Sequence, residues 1–281
     1  MSEFLDKISQ QFSSYTPSHK TVASFISENI DTVAFKTLEE LAEDIGVSTT
    51  TVIRFARVMG YDGFSQMQKD IQREMRNKSS LPERLNSSES IPDDEILKRT
   101  MANDIKNIEI TFSSISKETV NETVKAIEDA EKIYVLGMRS AFSLAHYTYS
   151  RLAQVLKRVR LIQGAGMFYP EEISDAGEGD VCIAYLFPRY SKTTANLISY
   201  MRKQGVKIIL FTSINHSAVN AYGDIILPCS VKGISYKNSY AAPISVINYI
   251  TAAIVSRNIE AAKKNLAKTE DILSQGYYLG L

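Results

Sequence analysis

Residues 37–61, TLEELAEDIGVSTTTVIRFARVMGY, constrain the fold more than any other stretch of the sequence. Apolar residues spaced by three and four positions predict a short helix with one buried face, formed by Leu38, Leu41, Ala42 and Ile45. Gly46 then permits a sharp turn, because glycine reaches a positive φ without steric cost. Ser48 is a good N-cap for a second helix, whose predicted buried stripe is Val52, Phe55, Ala56 and Met59. Two helices joined in this way form the helix-turn-helix pattern, whose second helix can lie in the major groove of DNA.

The outer side chains of this second helix have the chemistry that DNA contacts require. Hydroxyl groups near the amino end of such a helix can reach phosphates or base edges, and an arginine one turn later can pair with guanine or a phosphate. The candidate DNA-contacting residues are therefore Ser48, Thr49, Thr50, Thr51, Arg54 and Arg57. An upstream helix is predicted to support the pair with its apolar residues Val22, Ala23, Phe25, Ile26 and Ile30.

Charge alone does not distinguish a DNA-binding unit from an ordinary helical hairpin with a solvated polar face. Residues 1–78 hold nine Lys and Arg residues against eleven Asp and Glu residues. The distribution is uneven, because residues 21–44 carry six acids and one lysine, whereas residues 45–78 carry six bases and three acids. We therefore expect a locally positive surface near the second helix, and the local field matters more for DNA binding than the net charge.

Length and composition favour two domains of ordinary globular type. The chain has 281 residues, of which 44% are hydrophobic and 23% are charged. It lacks an apolar run of membrane-spanning length and a signal peptide, so a cytoplasmic location is expected. The two cysteines, Cys182 and Cys229, fall in predicted buried strands and are expected to be small apolar filler, with a disulfide or a metal site as a minor alternative. We predict neither a cofactor nor a metal site.

Serine, proline and charged residues dominate residues 77–95, NKSSLPERLNSSESIPDDE, and indicate a linker. We place a helical DNA-binding domain at residues 1–78, a linker at 79–95 and a second domain at 96–281. In the second domain, strands are predicted at 132–136, 159–162, 181–187, 207–211 and 224–227. Helices are predicted between most of them, and one long helix is predicted at about 242–274. The predicted fold class is thus an all-α N-terminal domain joined to an α/β domain with a parallel sheet sandwiched by helices.

Two loops of the second domain carry matching polar chemistry. The loop after the first strand contains Gly137, Arg139 and Ser140, and the loop after the third strand contains Arg189, Ser191, Lys192 and Thr194. Both loops lead from a strand into a helix, where hydroxyls, amides and cations favour an anion. Each serine could instead be a plain N-cap and each arginine a solvated surface residue. Because ligands of such sheets bind at the carboxyl ends of the strands, we predict one shared site for a phosphorylated small molecule.

The N-terminal residues resemble a known family. The matching elements are Leu41-Ala42, Gly46-Val47-Ser48, Thr51-Val52, Arg54-Phe55, and Gly60-Tyr61 followed by Gly63-Phe64. Together they look like the N-terminal domain of RpiR-type (MurR-type) bacterial transcriptional regulators. Where that family commonly has a proline-alanine or similar pair after the serine, this chain has Thr49-Thr50. The resemblance implies binding to operator DNA.

The second domain resembles the SIS (sugar isomerase) domain that usually follows such a head. Its loops follow the patterns Gly-x-Gly-x-Ser and Ser-x-Ser-Gly-x-Thr. Here Ser140 matches the serine near the first turn, and the second glycine is absent. Ser191 and Thr194 match the second serine and the threonine of the later loop, while Arg189 and Lys192 replace its first serine and its glycine. The resemblance implies binding of a phosphosugar.

We therefore expect a DNA-binding regulator of sugar metabolism genes, more plausibly a repressor, which responds to a phosphosugar or related metabolite. A homodimer or homotetramer on a palindromic operator is expected, since a single head has limited contact with DNA. The alternative is a phosphosugar isomerase with an accessory helical domain. Isomerisation requires a base such as Glu or His beside the reacting protons. The candidates Glu171, Glu172, His146 and His216 belong to no proton-transfer motif, so we predict no enzyme activity.

Overall fold

The computed structural model describes residues 3–34, 36–78, 81–86, 91–164, 169–215 and 217–275. The chain divides into two compact units, the first made mostly of residues 1–89 and the second mostly of residues 90–281. Each unit has its own cluster of buried apolar residues. The predicted fold class, a helical unit followed by an α/β unit, is confirmed. The domain boundaries that we placed at residues 78 and 95 remain predictions.

The described part of the first unit consists of helices and their connecting turns. Its α-helices are α1 (Glu3–Gln11), α2 (Pro17–Glu28), α3 (Ile30–Val33), α4 (Leu38–Ile45), α5 (Thr49–Val58), α6 (Phe64–Lys78) and α7 (Leu81–Asn86). A short 3-10 helix, Phe12–Ser14, lies between α1 and α2. Two parts of the predicted linker are therefore helical, namely α7 and the beginning of the helix that starts at Asp93.

The core of the first unit is organised around the second helix of the helix-turn-helix pair. Phe55 and Met59 are fully buried, and the Tyr15 ring packs edge-on against Phe55 with 5.4 Å between centroids. The Tyr15 hydroxyl lies 2.8 Å from the Met59 Sδ. Helix α6 is tied to the end of α3, because the Gln72 Nε2 donates to the Ala34 carbonyl oxygen at 2.6 Å. These contacts hold α5 with one face inward and the other free.

The second unit is a five-stranded parallel sheet flanked by helices. Its strands are β1 (Ile133–Gly137), β2 (Val159–Ile162), β3 (Val181–Tyr185), β4 (Lys207–Ser213) and β5 (Ile225–Cys229). Its α-helices are α8 (Asp93–Ser114), α9 (Lys117–Asp129), α10 (Phe142–Val155), α11 (Tyr169–Glu172), α12 (Lys192–Lys203), α13 (Ala241–Arg257) and α14 (Ile259–Leu273). The segment predicted as a helix at 217–221 is a 3-10 helix, Ser217–Tyr222.

The sheet order is β2-β1-β3-β4-β5, and every neighbouring pair is parallel. Every residue of β1 and β3 is buried, as expected for central strands of a sheet that is covered on both faces. Helices α9, α10 and α13 contribute to one apolar cluster on the sheet. Helix α12 packs on β3 and β4 through Leu197, Ile198 and Met201, which lie outside that cluster. The chain leaves β1 towards β2 on one side, and β3 lies on the other, so the topological switch point falls between β1 and β3.

The prediction of a single long helix at about 242–274 is wrong. Helix α13 ends at Arg257 and α14 begins at Ile259, and Asn258 separates them with φ −141° and ψ 63°. The Asn258 side chain accepts a hydrogen bond from the Ala261 backbone N–H at 3.3 Å. Asparagine favours such caps over helix interiors because its amide competes for backbone hydrogen bonds. That capping interaction ends one helix and starts the next.

Candidate functional site

The turn between α4 and α5 is built from local hydrogen bonds. Helix α4 begins with a reciprocal capping box, in which the Glu40 N–H donates to the Thr37 Oγ1 at 3.2 Å and the Thr37 N–H donates to the Glu40 Oε2 at 2.7 Å. The hydrogen bond from the Thr37 backbone lowers the pKa of Glu40 below its usual value. Gly46 ends α4 in the left-handed conformation with φ 74°. Ser48 then caps α5, since its Oγ accepts from the Thr51 N–H at 3.2 Å.

The predicted DNA-contacting residues divide into two groups on α5. Thr50, Arg54 and Arg57 have exposed side chains and, at spacings of four and three, share one face of the helix. The remaining residues lie at the start of the helix, where Ser48 is exposed and Thr49 and Thr51 are half-buried. The Thr51 hydroxyl lies 2.9 Å from the Ser48 Oγ, and the Arg57 Nε donates to the Asp62 carbonyl oxygen at 3.4 Å. The exposed face is compatible with a groove contact, while the capping hydroxyls hold the helix end in shape.

The loop after β3 forms the amino terminus of α12 directly. Ser191 is the N-cap, because its Oγ accepts from the Thr194 N–H at 3.2 Å. The Thr194 side chain is only 1% exposed, and its Oγ1 has no hydrogen-bond partner among the described residues. Buried hydroxyls are almost always paired, so the unpaired Thr194 hydroxyl is an exception in the first turn of α12. Arg189 and Lys192 flank this terminus with exposed side chains.

The loop after β1 is built differently from the loop after β3. Ser140 does not cap the following helix, because a 3-10 helix, Arg139–Ala141, intervenes and moves the N-cap position of α10 to Ala141. The Ser140 hydroxyl instead shares a hydrogen bond of 3.1 Å with the Tyr240 hydroxyl. Gly137 allows a close backbone approach: a Cβ at this position would lie 2.9 Å from the Ala141 carbonyl carbon. Glycine is thus required here for space, whereas the positive φ of this loop, 57°, occurs at Arg139.

Tyr240 links the two loops, and sequence reasoning missed it. Besides its hydrogen bond to Ser140, its ring lies 5.6 Å from the Phe187 ring, centroid to centroid, in the loop after β3. In the β1–β3 register, Gly137 is the partner of Tyr185, so both loops leave the sheet at one level. Tyr240 precedes α13 in a segment without periodicity, 100 residues from Ser140, and no local pattern could have placed it here. The two loops are thus connected through an aromatic residue that was not predicted.

One of the candidate catalytic bases, Glu172, is engaged by backbone hydrogen bonds. The Glu172 carboxylate accepts hydrogen bonds from the backbone N–H groups of Gln163, at 3.1 Å, and Gly164, at 3.2 Å. Glu171 and His146 are exposed, and His146 lies beside the Phe142 ring at 6.3 Å between centroids. His216, the fourth candidate, lies outside the described residues. Glu172 thus serves the end of β2 by satisfying two backbone donors.

Within the described residues, no cluster of His, Cys, Asp and Glu could hold a metal ion. Cys182 and Cys229 are unbonded, and burial raises the pKa of each thiol above its usual value. Both therefore stay protonated and behave as apolar filler in β3 and β5, as predicted. None of the described helices is long and apolar enough to cross a membrane.

Comparison with known families agrees with the two-unit architecture. Residues 2–78 match the family model described as the helix-turn-helix domain of the rpiR family, and residues 126–255 match the SIS domain. A helix-turn-helix domain of this family followed by an SIS domain defines a class of transcriptional regulators. The chain belongs to the RpiR family of helix-turn-helix regulators that carry a C-terminal SIS domain, and the predicted resemblance is confirmed.

Similar proteins align with nearly the whole length of this chain. An uncharacterized helix-turn-helix transcriptional regulator of Haemophilus influenzae is 26% identical over an alignment of 281 positions that covers 96% of each chain. Another, from Clostridium perfringens, is 22% identical and covers 92% of this chain and 95% of its own. Among solved structures, the Vibrio vulnificus NanR protein complexed with ManNAc-6P aligns with a TM-score of 0.67 at 18% identity, over 99% of this chain and 100% of that one. The sugar isomerase domain of an RpiR transcription factor from Sphaerobacter thermophilus aligns with a TM-score of 0.59 at 22% identity, over 63% of this chain and 99% of that one.

Proposed function

We propose that this transcriptional regulator binds operator DNA through α5 and changes its operator affinity when a phosphosugar binds where β1 and β3 end. The observation that carries the effector half is the buried, unpaired Thr194 hydroxyl in the first turn of α12. A phosphate at that terminus would accept hydrogen bonds from the free backbone N–H groups and from Thr194. The Vibrio vulnificus NanR protein, which has the same overall fold, was solved with ManNAc-6P bound and supports the choice of a phosphosugar.

DNA recognition is assigned to Thr50, Arg54 and Arg57, with Ser48, Thr49 and Thr51 at the start of the helix. Arg54 is exposed on the free face of α5, one turn from the capped amino end, where an arginine can reach guanine or a phosphate. Replacing Arg54 with Ala should weaken operator binding by about 1–3 kcal/mol. Arg73→Ala on α6 is the matched control, because Arg73 is exposed and pairs with Asp70. Equal operator affinity of the two variants in a gel-shift titration would remove Arg54 from the DNA contact.

We propose that the protein regulates and does not catalyse. An isomerase requires a carboxylate or imidazole free to take a proton from the sugar, and the Glu172 carboxylate is already bound by two backbone N–H groups. Turnover of any aldose or ketose phosphate by the purified protein, lost on Glu172→Gln substitution, would instead support the isomerase alternative. Relatives of the SIS fold include such enzymes, so this assay is the direct discriminator.

Assembly into a homodimer or homotetramer would give the two heads that a palindromic operator requires. Helix α8 has an exposed apolar face, with Leu97 83%, Met101 60% and Ile105 49% exposed. A single chain in water rarely leaves such a stripe uncovered, so we assign it to contact with a second copy. A double Met101→Glu, Ile105→Glu variant should sediment as a smaller species than the wild type. An unchanged mass by light scattering would move the assembly surface elsewhere.

The effector site is joined to α8 by a polar network within the second unit. Tyr240, which contacts Ser140, ends the segment 230–240, and the Ser239 Oγ donates to the Asp104 Oδ1 at 2.6 Å. The Ser230 Oγ donates to the Oδ1 of the buried Asn107 at 2.7 Å. Because α8 follows directly on the segment between the two units, a shift of Tyr240 on ligand binding has a hydrogen-bonded route to the start of the second unit.

The coupling can be separated from binding by mutation. Ser239→Ala should leave the DNA affinity and the phosphosugar affinity near those of the wild type and reduce the effect of one ligand on the other. Ser199→Ala, which removes a hydroxyl bonded only to its own helix at Ala195, is the control. A Ser239→Ala variant with full coupling would exclude this route.

We propose that the protein is a repressor. Addition of the effector should then reduce the occupancy of the operator.

A further inference from the structure

We infer that the effector carries a second anionic group besides its phosphate, and that Arg139 and Arg189 bind this second group. The ligand class is thus a phosphosugar with an additional carboxylate or phosphate. This inference rests on the proposed function, since it concerns the same site. Three features of the two loops support it, and the phosphate contact alone does not explain them. They are the backbone conformation of the two arginines, the position of both arginines at one site, and the positive charges that have no carboxylate partner.

The first feature is the backbone conformation of the two arginines. Arg139 has φ 57° and Arg189 has φ 72°, and among the described residues they are the only non-glycine residues with a positive φ. The other positive-φ positions in the described chain are all glycines: Gly46, Gly60, Gly164, Gly179 and Gly205. The left-handed conformation costs a non-glycine residue roughly 1–2 kcal/mol. Both positions therefore carry a charged residue where the backbone conformation favours glycine.

The second feature is that both arginines border one site. Gly137 and Tyr185 are register partners at the ends of the neighbouring strands β1 and β3. Arg139 lies two residues beyond Gly137, and Arg189 lies four residues beyond Tyr185. Ser140, next to Arg139, shares a hydrogen bond with Tyr240, and Phe187 of the other loop packs against the same ring. The two loops are therefore held together at their bases while both guanidinium groups remain exposed.

The third feature is an excess of positive charge. Arg139, Arg189 and Lys192 are exposed, and no carboxylate of the described chain forms an ion pair with any of them. Three other arginines of the same unit form ion pairs at 2.8–3.2 Å, namely Arg160 with Asp175, Arg202 with Asp224 and Arg257 with Glu128. The exposed Arg151 forms no ion pair with a described residue, but it lies over the Tyr147 ring at 5.9 Å from its centroid. A phosphate monoester contributes a charge of about −1.5 to −2 and is already provided with α12 amides and the Thr194 hydroxyl. Two guanidinium groups remain, and each can bind a carboxylate or phosphate through two parallel hydrogen bonds.

The test measures binding to the full-length protein by calorimetry with matched ligand pairs. Each pair contains an aldose 6-phosphate and the corresponding aldonic acid 6-phosphate, for example glucose 6-phosphate and 6-phosphogluconate. Fructose 1,6-bisphosphate is the arm that distinguishes a second phosphate from a carboxylate. We expect at least one ligand with two anionic groups to bind at least about tenfold more tightly than the matched single-phosphate sugar.

Variants of the two arginines then test whether these residues cause the preference for a second anionic group. The double variant Arg139→Ala, Arg189→Ala should lose the preference by about tenfold or more and keep its affinity for the single-phosphate sugar. Arg151→Ala, on the exposed side of α10, is the matched control and should change neither affinity. Circular dichroism and the operator affinity of each variant confirm that it is folded.

The outcomes separate this inference from the proposed function. Binding of single-phosphate sugars without any preference for a second anion, or a preference that survives in the double variant, would overturn the inference and leave the phosphosugar site in place. Equal losses for both ligands of a pair would assign the arginines to the phosphate and would overturn it as well. No binding by any phosphosugar, together with an unchanged operator affinity, would overturn both.

Discussion

The loops after β1 and β3 leave neighbouring strands at one level and carry similar residues, yet they differ in construction. After β3, the helix begins at once, Ser191 caps it, and Thr194 is buried in its first turn without a partner. After β1, a 3-10 helix intervenes and Ser140 contacts Tyr240. Similar side-chain chemistry therefore does not give similar structures: the β3 loop forms a helix amino terminus, and the β1 loop exposes a hydroxyl and a guanidinium.

The β1 loop depends most on Gly137, because the backbone of Ala141 approaches this residue closely. Gly137→Ala should lower the free energy of unfolding by about 3 kcal/mol, because the new methyl would overlap the Ala141 carbonyl group and lie 3.2 Å from the Ala145 Cβ. Gly177→Ala is the control, since its Cβ would have only the Gln204 carbonyl oxygen nearby, at 3.9 Å. Equal denaturant midpoints for the two variants would show that the β1 loop can relax without loss.

Replacement of the unpaired Thr194 hydroxyl should give the next largest change in the free energy of unfolding. In the absence of a ligand, Thr194→Val should raise the free energy of unfolding by about 1.5 kcal/mol, because a buried polar group without a partner is replaced by a methyl of similar shape. The same variant should lose its response to phosphosugars. Thr193→Val, at the neighbouring exposed position, should do neither. A destabilised Thr194→Val variant would mean that the hydroxyl has a partner in the native protein.

The two serines test the difference between the loops directly. Ser191→Ala should cost about 1 kcal/mol of stability, because it removes the N-cap of α12. Ser140→Ala should have a smaller effect, since its exposed hydroxyl bonds only to Tyr240 and caps no helix. Both substitutions should weaken the phosphosugar response and spare DNA binding. Equal destabilisation in thermal unfolding would contradict the different construction of the loops.

The smallest expected effect on stability concerns the positive φ that Arg139 and Arg189 have in common. At Arg139 and at Arg189, substitution by Gly should give a protein about 0.5 kcal/mol more stable than substitution by Ala, because only glycine is free of strain at φ 57° and 72°. The larger conformational entropy of glycine in the unfolded chain offsets the rest of the gain. Urea titrations of the four variants measure this difference. An Ala variant as stable as its Gly counterpart would show that the loop changes conformation on substitution.

Local patterns in the sequence were sufficient wherever the structure depends on near neighbours. The buried stripe of Val52, Phe55, Ala56 and Met59, the turn at Gly46 and the cap at Ser48 appear as predicted, because periodicity and capping act over a few residues. Ser191 is an N-cap, which was the alternative interpretation of that serine. The same holds for the five strands, whose apolar runs allowed their positions to be predicted to within about two residues. The polar residues that follow β1 and β3 also led to the prediction of an anion site there, which remains a prediction.

The features that local patterns missed depend on contacts between residues far apart in sequence. Tyr240 reaches Ser140 across 100 residues, and nothing near Tyr240 in the sequence marks it as part of the site. Asn258 divides the predicted C-terminal helix, since its cap outcompetes an otherwise continuous helical pattern. Ser140 caps no helix, because a 3-10 helix, Arg139–Ala141, precedes α10, and no local pattern indicated this turn.

The sequence by itself determined the family, the two kinds of unit and the residue types that surround each site, because these follow from periodicity and short motifs. The tertiary structure decided which of those residues act together. It buried the Thr194 hydroxyl without a partner and placed Arg139 and Arg189 in left-handed conformations on two loops joined by one tyrosine. The physical reason is that burial and strain depend on how separate elements pack, and packing between distant segments has no signature in a local stretch of sequence.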